Sequence, residues 1–430
     1  MKVEIRNIGK IASADIELSG LTAIIGENDR GKSTAGKSLY ALFRSLDEVE
    51  DRIFEAQIHH VVESLRLPYN PRWRLVLEKS CFDGLMTPSR DEILERLEHY
   101  RPQAPYSVAG RWRKDVDESG DLADRIAEEV DRVRRLPRNE LLHAAVTQTF
   151  NDCFDGQFLP NYIGFTEPSS LNVRGYDSDL FISWHETGGK LDFNGRTGRN
   201  AWFIGTPLVL DAMSASPRFG TRGMILDPIH NELVRRLRKG SRGAFVSRQL
   251  VMDELRPALE LLQENQTAPF VRDEEGRFAL EMAGQKSPLR AANLSMGLKV
   301  FSVLRLMLET NVLQSGDVVI LDEPENHLHP DHQELFARLI VKIQRLCNLR
   351  LLVTTHSPYF LQGLELYSRQ EKHESAEAQP LKVYQPEISD KLGRVTFEDI
   401  SGDTSAMYRK FAMAMREMDI LRREVDGYDH

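Results

Sequence analysis

Cysteine and long apolar stretches are the features that this sequence has least of. Only three cysteines, Cys81, Cys153 and Cys347, occur in 430 residues, and their wide spacing includes no CxxC motif, which argues against a disulfide framework or a cysteine-based zinc site. No stretch approaches the roughly 18 uninterrupted apolar residues of a membrane-spanning helix. Residues 1–6 alternate charged and apolar side chains, whereas a secretory signal needs a continuous apolar run. We therefore expect a cytoplasmic protein that does not contact a membrane.

An excess of positive charge is also missing. Lys and Arg total 56 against 65 Asp and Glu, which gives a formal charge of −9. Proteins that bind nucleic acid mainly through electrostatics are usually basic, so the composition weakens that class without excluding it. Two local basic runs could contact DNA or could be solvated helix faces, and the second is the stronger candidate for DNA contact. The first holds Arg132, Arg134, Arg135 and Arg138, and the second holds Arg235, Arg236, Arg238, Lys239 and Arg242.

A glycine-rich segment lies between a short apolar run at 21–25, which predicts a buried strand, and a helical pattern at 32–43. The segment 26–33 fits the pattern G-x-x-x-x-G-K-[ST], and a preceding strand and a following helix are the context in which that pattern binds phosphates. Its glycines let backbone N–H groups face the phosphates, Lys32 can reach the β- and γ-phosphates, and Ser33 suits Mg²⁺. The predicted ATP-binding residues are Gly26, Glu27, Asn28, Asp29, Arg30, Gly31, Lys32, Ser33 and Thr34.

The same pattern also fits a second register, residues 31–38. No strand leads into this register, and it would place the phosphate-binding loop where the sequence predicts a helix. We therefore interpret Lys37 and Ser38 as ordinary helix residues and assign the loop to the first register.

A second apolar run, at 318–321, ends in two carboxylates, Asp322 and Glu323. Ligands of parallel sheets bind at the carboxyl ends of the strands, so these side chains are expected beside the phosphate-binding loop. A carboxylate such as Asp322 suits Mg²⁺, which makes Ser33 and Asp322 the predicted metal ligands. Glu323 suits polarising the water that attacks a γ-phosphate, and we predict that it is catalytic.

Two further features carry polar side chains at the ends of regular elements. Ser295 stands where a helix N-cap is expected, and Gly297 allows close backbone approach. His356 follows a strand predicted at 351–355, where a neutral imidazole could contact a phosphate. Standing alone, Ser295 would be a simple cap and His356 a structural histidine.

Other readings of the polar side chains are weaker. His327, His329 and His332 could suggest zinc, but their spacing does not put all three on one helix face. Ser295, His356 and Asp322 could be drawn as a hydrolase triad, but the sequence has no G-x-S-x-G elbow.

The order of the motifs along the chain resembles the ATP-binding-cassette (ABC) class of ATPases. It runs P-loop, Ser-x-Gly signature, Asp-Glu strand and strand-end histidine. In that class two heads sandwich two ATP molecules, and the P-loop of one head faces the signature of the other. The resemblance implies that ATP and Mg²⁺ bind, that Glu323 is the catalytic base and that His356 is the switch histidine. It also implies that Ser295, Gly297 and Lys299 contact the ATP of a second copy in trans.

Segments 322–330 and 355–360 narrow the resemblance to the RecF- and OLD-like branch of non-transport ABC ATPases, which serves DNA repair and anti-phage defence. The specific similarity covers residues 1–45 and 285–365. The signature reads Leu-Ser-Met-Gly-Leu-Lys and departs from the transporter Leu-Ser-Gly-Gly-Gln. Gln57 and Gln157 are candidates for the glutamine that normally follows the first sheet.

These features predict an α/β fold, an ABC-type P-loop ATPase head with a mixed sheet, interrupted by an inserted helical and β region. Residues 1–85 are expected to form the lobe with the P-loop, and residues 245–430 the lobe with the signature, the Asp-Glu strand, the switch histidine and C-terminal helices. Residues 86–244 are expected to form the insertion. ATP binding should close a homodimer, or a higher oligomer of dimers, and hydrolysis should reopen it.

The resemblance also suggests what such an ATPase would drive. Some OLD-like proteins carry a C-terminal nuclease domain, and the stretch after Phe360 is too short for one. We therefore expect a separate effector, most simply a nuclease, in anti-phage defence, as in the Septu-type ATPase partnered by an HNH nuclease. The alternatives are a RecF-like DNA-repair ATPase, a transporter's nucleotide-binding subunit, and a scaffold that binds ATP but hydrolyses it very slowly.

Overall fold

A computed structural model of the protein describes residues 1–47, 49–67, 73–83, 87–99, 119–163, 165–175, 179–185, 188–193, 200–214, 226–239, 254–264, 268–272, 278–282, 284–374 and 378–427. The strands are β1 (Lys2–Ile8), β2 (Ile11–Glu17), β3 (Leu21–Ile25), β4 (Ser169–Arg174), β5 (Leu180–His185), β6 (Gly188–Phe193), β7 (Ala201–Ile204), β8 (Phe270–Arg272), β9 (Phe278–Leu280), β10 (Leu289–Arg290), β11 (Val318–Asp322), β12 (Arg350–Thr355), β13 (Lys382–Ile388) and β14 (Val395–Asp399). The helices are α1 (Lys32–Leu46), α2 (Val49–Ser64), α3 (Trp73–Val76), α4 (Lys79–Asp83), α5 (Arg90–His99), α6 (Ser119–Arg134), α7 (Arg138–Phe154), α8 (Val209–Ser214), α9 (Pro228–Lys239), α10 (Arg256–Glu264), α11 (Met296–Glu309), α12 (Pro330–Leu346), α13 (Pro358–Glu374) and α14 (Ser405–Gly427). Two 3₁₀ turns cover Ala291–Asn293 and Pro324–His327.

One mixed sheet of eleven strands, in the order β6-β5-β4-β1-β2-β14-β13-β3-β12-β11-β7, runs through the described part of the chain. Strands β7, β11, β12, β3 and β13 pair in parallel, and β14 pairs in parallel with β2. The remaining neighbours are antiparallel. The predicted α/β class with a mixed sheet is therefore confirmed. Strands β8 to β10 form a separate small sheet.

The sheet is covered on both faces, as β3 shows. All five residues of β3 are buried. Alternate side chains of a strand point to opposite faces, and Ile24 packs into one hydrophobic cluster while Ala23 and Ile25 pack into another. A continuous apolar run is the expected sequence of such a doubly covered parallel strand. Burial on both faces fixes β3, and with it the position of the loop that follows it.

Helix α1 packs against β7, β11 and β12 on one of these faces. Gly36 permits this close approach, because a Cβ atom built at this position would lie 3.0 Å from Cγ2 of Ile320 and 3.5 Å from the ring of Phe203. This glycine, which belongs to the second register of the phosphate-binding pattern, therefore serves helix–sheet packing. Lys37 and Ser38 lie within α1, as predicted.

The segment between residues 119 and 193 adds helices and strands to this frame. Leu122, Ile126, Val130 and Val133 are buried along one face of α6. Strands β5 and β6 form an antiparallel hairpin. Within the described ranges, we find no helix with both the length and the apolar character needed to cross a membrane. The boundaries at residues 85 and 244 remain predictions. Strands β4 to β7, which lie between them in sequence, pair within the main sheet.

Candidate functional site

Three neighbouring parallel strands bring the sequence motifs to one edge of the sheet. In the register of β12, Thr355 lies opposite Ile25 of β3 and Thr354 lies opposite Asp322 of β11. The P-loop, His356 and the Asp-Glu pair follow these strand ends directly. The N–H of Gly26 also donates to the carbonyl of Thr355, over 3.3 Å. The carboxyl edge of the sheet is where ligands of such folds bind.

Backbone conformation and close packing shape the loop between β3 and α1. Gly31 precedes the helix with φ 74° and Asp29 has φ 61°, a region that glycine adopts without strain and that Asp tolerates. A Cβ atom at Gly31 would lie 3.2 Å from Cγ1 of Ile11, and one at Gly26 would lie 3.2 Å from the ring of Pro386. The loop is thus held against the β1–β2 and β13–β14 hairpins.

The exposed part of the loop carries most of the remaining predicted ATP-binding residues. Glu27, Asn28 and Asp29 are exposed, whereas Thr34 is half-buried. Asp29 forms an ion pair with Lys10, and Arg30 forms one with Glu27 at 2.6 Å. These charged contacts lie at the mouth of the loop, where a nucleotide would have access.

Lys32 occupies the centre of the site. Its side chain is 3% exposed, and its ammonium donates to the carbonyls of Gly26 and Glu27, each at 2.8 Å. Nζ also lies 3.1 Å from Oε1 of Glu323. These contacts bring the P-loop and the Asp-Glu strand together at one buried cation.

Asp322 lies beside the first residues of α1. Its Oδ1 accepts a hydrogen bond from the hydroxyl of Thr354 at 2.5 Å, and the carboxylate is also hydrogen-bonded to Ser33. Burial raises the pKa of Asp322, and the hydrogen bonds from Thr354 and Ser33 offset only part of this effect. A hydroxyl and a desolvated carboxylate in contact are the hard oxygen donors that Mg²⁺ prefers, so the residues present fit the ion.

Glu323 has an unusual backbone conformation for a residue with a side chain, with φ 49° and ψ 51°. Its N–H donates to the carbonyl and the hydroxyl of Thr354, and its Oε2 accepts a hydrogen bond from Nδ2 of Asn326 at 3.0 Å. Burial alone would raise the pKa of Glu323, but the contacts from Asn326, Lys32 and His356 bring the pKa below its usual value. The carboxylate is therefore ionised at neutral pH.

Three residues of this site were not assigned a role from the sequence. Thr354 holds Asp322 and the backbone of Glu323, Asn326 holds the carboxylate of Glu323, and Glu325 is buried next to His356. Asn326 meets Glu323 within one turn of the chain, whereas the contacts of Glu325 and Thr354 depend on the pairing of β11 with β12.

The signature residues lie at the start of α11. Ser295 is the N-cap, and its hydroxyl accepts a hydrogen bond from the N–H of Leu298 at 3.3 Å. A Cβ atom at Gly297 would lie 3.0 Å from the carbonyl of His327, so this glycine packs on the turn after Glu323. Within the described residues, no hydrogen bond or ion pair joins Ser295 or Gly297 to the P-loop of the same chain.

Lys299 points into the protein in this structure. It is buried, and its ammonium pairs with Asp211 of α8 at 2.8 Å. A buried lysine needs such a partner. A contact of Lys299 with the ATP of a second copy would require this ion pair to open, and it stays a prediction.

The described arginines of the second basic run each form a contact within the chain. The guanidinium of Arg236 stacks 3.8 Å from the ring centre of Trp202 and donates to the carbonyl of Ala201. Arg238 donates to the carbonyl of Ala212, and Arg235 pairs with Glu232. Contact of this run with DNA stays a prediction. The side chain of Lys239 and all of Arg242 lie outside the described residues.

The loop after β7 occupies the position beside the Asp-Glu pair. Gly205 and Thr206 line a cavity of about 40 Å³ together with Asp322 and Glu323. Gln57 is buried in α2 and Gln157 follows α7, and neither lines this cavity.

The three histidines considered for zinc have separate surroundings. His329 lies 3.4 Å from Asp331, and the ring of His332 packs edge-on to Phe301. Among the residues that the structure describes, no group of three His, Cys, Asp or Glu side chains has the arrangement of a metal site.

Comparison with known families matches part of the chain. Residues 222–362 match a family model described as "AAA domain, putative AbiEii toxin, Type IV TA system". The match covers about a third of the chain and includes Ser295, Asp322, Glu323 and His356. This part of the chain is thus similar to an AAA-type ATPase domain. No curated protein matches the chain.

Three similar solved structures are head domains of SMC proteins. The SMC head bound to the C-terminal winged-helix domain of ScpA has 12% identity and a TM-score of 0.42, over 94% of this chain and 98% of that one. The Thermotoga maritima SMC head has 12% identity and a TM-score of 0.39, over 93% and 97%. The Pyrococcus furiosus SMC head with an extended coiled coil, bound to the C-terminal domain of ScpA, has 11% identity and a TM-score of 0.37, over 98% of both chains.

Proposed function

We propose that this protein is a Mg²⁺-dependent ATPase that hydrolyses ATP by in-line attack of water. The single observation that supports this most strongly is the meeting of Lys32, Asp322 and Glu323 at one edge of the sheet, with a Lys32–Glu323 distance of 3.1 Å. Phosphoryl transfer requires a cation and carboxylates beside the phosphates. Here the cation is the buried Lys32 at the start of α1, and the carboxylates are the desolvated Asp322 and the ionised Glu323. The match to an AAA-type domain supports the same class.

Each of these side chains has a defined task in this proposal. Lys32 and the backbone N–H groups of the loop bind the phosphates. A Mg²⁺ ion held by Ser33 and Asp322 would neutralise negative charge on the phosphates. Glu323 accepts the proton of the attacking water, which its ionised state allows, and Asn326 holds the carboxylate in place. His356 lies 3.6 Å from Glu323 and contacts the nucleotide from the adjacent strand end.

We further propose that a second copy completes the site. Ser295 is exposed at the N-terminus of α11, where backbone N–H groups favour an anion. The geometry within one chain leaves Ser295 and Gly297 without a bond to the P-loop, so they are available to a nucleotide held by another copy. Glu325 and Asn326 lie in the turn on which Gly297 packs, which would link the signature to the hydrolytic site.

The output of the ATPase is proposed to be control of a separate effector, most simply a nuclease, in anti-phage defence. The description of the matching family names a toxin of a toxin–antitoxin system, which agrees better with defence than with repair or transport. The stacking of Arg236 on Trp202 and its hydrogen bond to the carbonyl of Ala201 engage this arginine within the chain, which weakens a RecF-like DNA clamp. A scaffold that hydrolyses ATP slowly would share the same site and differ in turnover alone.

Two measurements test the proposal in order. Light scattering should show that the Glu323→Gln protein dimerises with Mg²⁺-ATP, and that Ser295→Arg, which blocks the signature, prevents this. Affinity purification of the Glu323→Gln protein with ATP from the native host should then recover a nuclease-like partner. Recovery of DNA and the protein alone would favour the repair clamp, and recovery of a membrane partner would favour the transporter subunit.

A further inference from the structure

A buried carboxylate links the two loops that carry Glu323 and His356. Glu325 is 2% exposed and lies in the 3₁₀ turn that begins directly after Glu323. Its Oε1 accepts hydrogen bonds from the hydroxyl of Thr355 and, at 3.0 Å, from the backbone N–H of His356. Because β11 and β12 are adjacent, Glu325 fastens the loop after one strand to the loop after the next.

The direction of these hydrogen bonds is fixed by the surrounding chain. The hydroxyl of Thr355 already accepts a hydrogen bond from the N–H of Ser357 at 3.0 Å, so its proton is free to be donated to Glu325. The hydroxyl of Ser357 donates in turn to Gln333 of α12 at 2.6 Å. Glu325 is thus held by donors alone, as an ionised carboxylate requires.

Among the residues that the structure describes, two buried polar atoms next to this arrangement have no hydrogen-bond partner, namely Oε2 of Glu325 and Nδ1 of His356. Nδ1 lies 3.5 Å from Oε1 of Glu325 and 3.6 Å from Oε2 of Glu323. Both distances exceed a well-formed hydrogen bond, and a small rotation of the imidazole would close either one. Buried polar groups almost always form hydrogen bonds. We therefore expect Nδ1 of His356 to form a hydrogen bond with one of these two carboxylates.

Glu325 is the better acceptor of the two carboxylates. The carboxylate of Glu323 already receives Lys32 and Asn326, whereas Glu325 keeps one oxygen unpaired. The side chain of His356 is 41% exposed although its Nδ1 is buried, so the opposite edge of the ring, with Nε2, is the exposed one. An Nδ1–H donated inward would leave Nε2 as an acceptor facing the site.

We propose that Glu325 is a positioning residue that accepts the Nδ1–H of His356 and fixes the tautomer that presents Nε2 to the nucleotide. The catalytic consequence rests on the proposed ATPase function, but the tautomer does not. Burial raises the pKa of Glu325, which the donors around it oppose, and an N–H from His356 adds one more such donor.

The direct test is ¹⁵N NMR of the full chain labelled on histidine, with the His356 signals assigned by their loss in His356→Gln. We expect a protonated Nδ1 and an unprotonated Nε2 at neutral pH. In Glu325→Gln, which places an N–H donor beside the ring, and in Glu325→Ala, this signature should weaken or invert. Asp331→Ala, which removes an exposed carboxylate of the neighbouring segment, should leave it unchanged. Circular dichroism checks that each variant is folded. If Glu325→Ala does not fold, the NMR result for Glu325→Gln alone tests the proposal.

Retention of the Nδ1–H signature in every folded Glu325 variant would overturn the proposal, as would a protonated Nε2 in the wild type. Turnover supplies a second readout. Glu325→Gln should lower kcat by about tenfold with little change in KM. A loss of activity of this size is typical when a residue that orients a functional side chain is replaced. In the His356→Ala background the same substitution should have no further effect, whereas a further loss would indicate a merely structural role. Absence of turnover in the wild type would refute the proposed function and leave the NMR result standing.

Discussion

The ammonium of Lys32 lies 3.1 Å from the carboxylate of Glu323, although the two residues lie 291 positions apart in a sequence of 430. Lysine has three N–H donors, and here they face two P-loop carbonyls and this one carboxylate. A phosphate that binds to Lys32 must therefore replace some of these contacts. In the proposed function, nucleotide binding would therefore be coupled to release of Glu323 through this one ammonium group.

The position of the phosphate-binding loop can be tested with two lysines of the overlapping patterns. Lys32→Ala should weaken ATP binding by at least about tenfold, because a hydrogen bond to a charged group contributes about 1.5–3 kcal/mol. Lys37→Ala is the matched control, since Lys37 lies within α1, and it should change the affinity by no more than about twofold. Equilibrium binding of a fluorescent ATP analogue measures both. A larger effect of Lys37→Ala would assign the loop to the second register.

Most of the site could be predicted from the sequence because its motifs are local. The strand–loop–helix around Lys32 and the strand that ends in Asp322 each carry their signal within about ten residues. The contacts of Glu325 and Thr354 could not be predicted, because they depend on the pairing of β11 with β12, which no short pattern encodes. The contacts of Lys299 with Asp211 and of Arg236 with Trp202 could not be predicted either, because a charge in a sequence does not show whether it faces solvent or a partner within the chain.

The close contact between α1 and the sheet predicts a large effect at Gly36. Gly36→Val would push methyl groups into Ile320, whose Cγ2 already lies 3.0 Å from the position of a Cβ atom. Overpacking of this kind lowers the free energy of unfolding by about 1–3 kcal/mol. Gly402→Val is the control, because nothing lies within 4 Å of its Cβ position, and it should change stability by less than about 0.5 kcal/mol. Urea unfolding distinguishes the two, and equal effects would show that the packing is looser than described.

The inward position of Arg236 predicts a loss of stability. Arg236→Ala removes the stacking on Trp202 and a hydrogen bond to the carbonyl of Ala201, which together should lower the free energy of unfolding by about 1–2 kcal/mol. Arg174→Ala removes an exposed pair with Glu4 and should have an effect below about 0.5 kcal/mol. Thermal denaturation compares them. An unchanged stability of Arg236→Ala together with weaker DNA binding would restore this residue to a DNA-contacting role.

The Asp227–His230 pair predicts a pH-dependent contribution to stability. Burial alone would raise the pKa of Asp227, but hydrogen bonds from the ring and the N–H of His230 bring it below the usual 3.8. A lowered pKa contributes stability above the unfolded value and loses it as the pH falls through the folded value. Asp227→Asn should therefore be less stable than the wild type at pH 7, and the difference should shrink below about pH 4. A difference that is constant with pH would show that ionisation of the Asp227 carboxylate contributes nothing to stability.

The central claim is that the P-loop and the Asp-Glu strand form one ATP-hydrolysing site, and turnover by Glu323→Gln tests it most directly. Steady-state phosphate release and ATP binding would be measured with Mg²⁺ for the wild type and for Glu323→Gln. The variant should bind ATP as tightly as the wild type and release phosphate about 10²–10⁴-fold more slowly, the usual contribution of a positioned base. Turnover that is unchanged by Glu323→Gln, or a wild type that binds no ATP, would contradict the account.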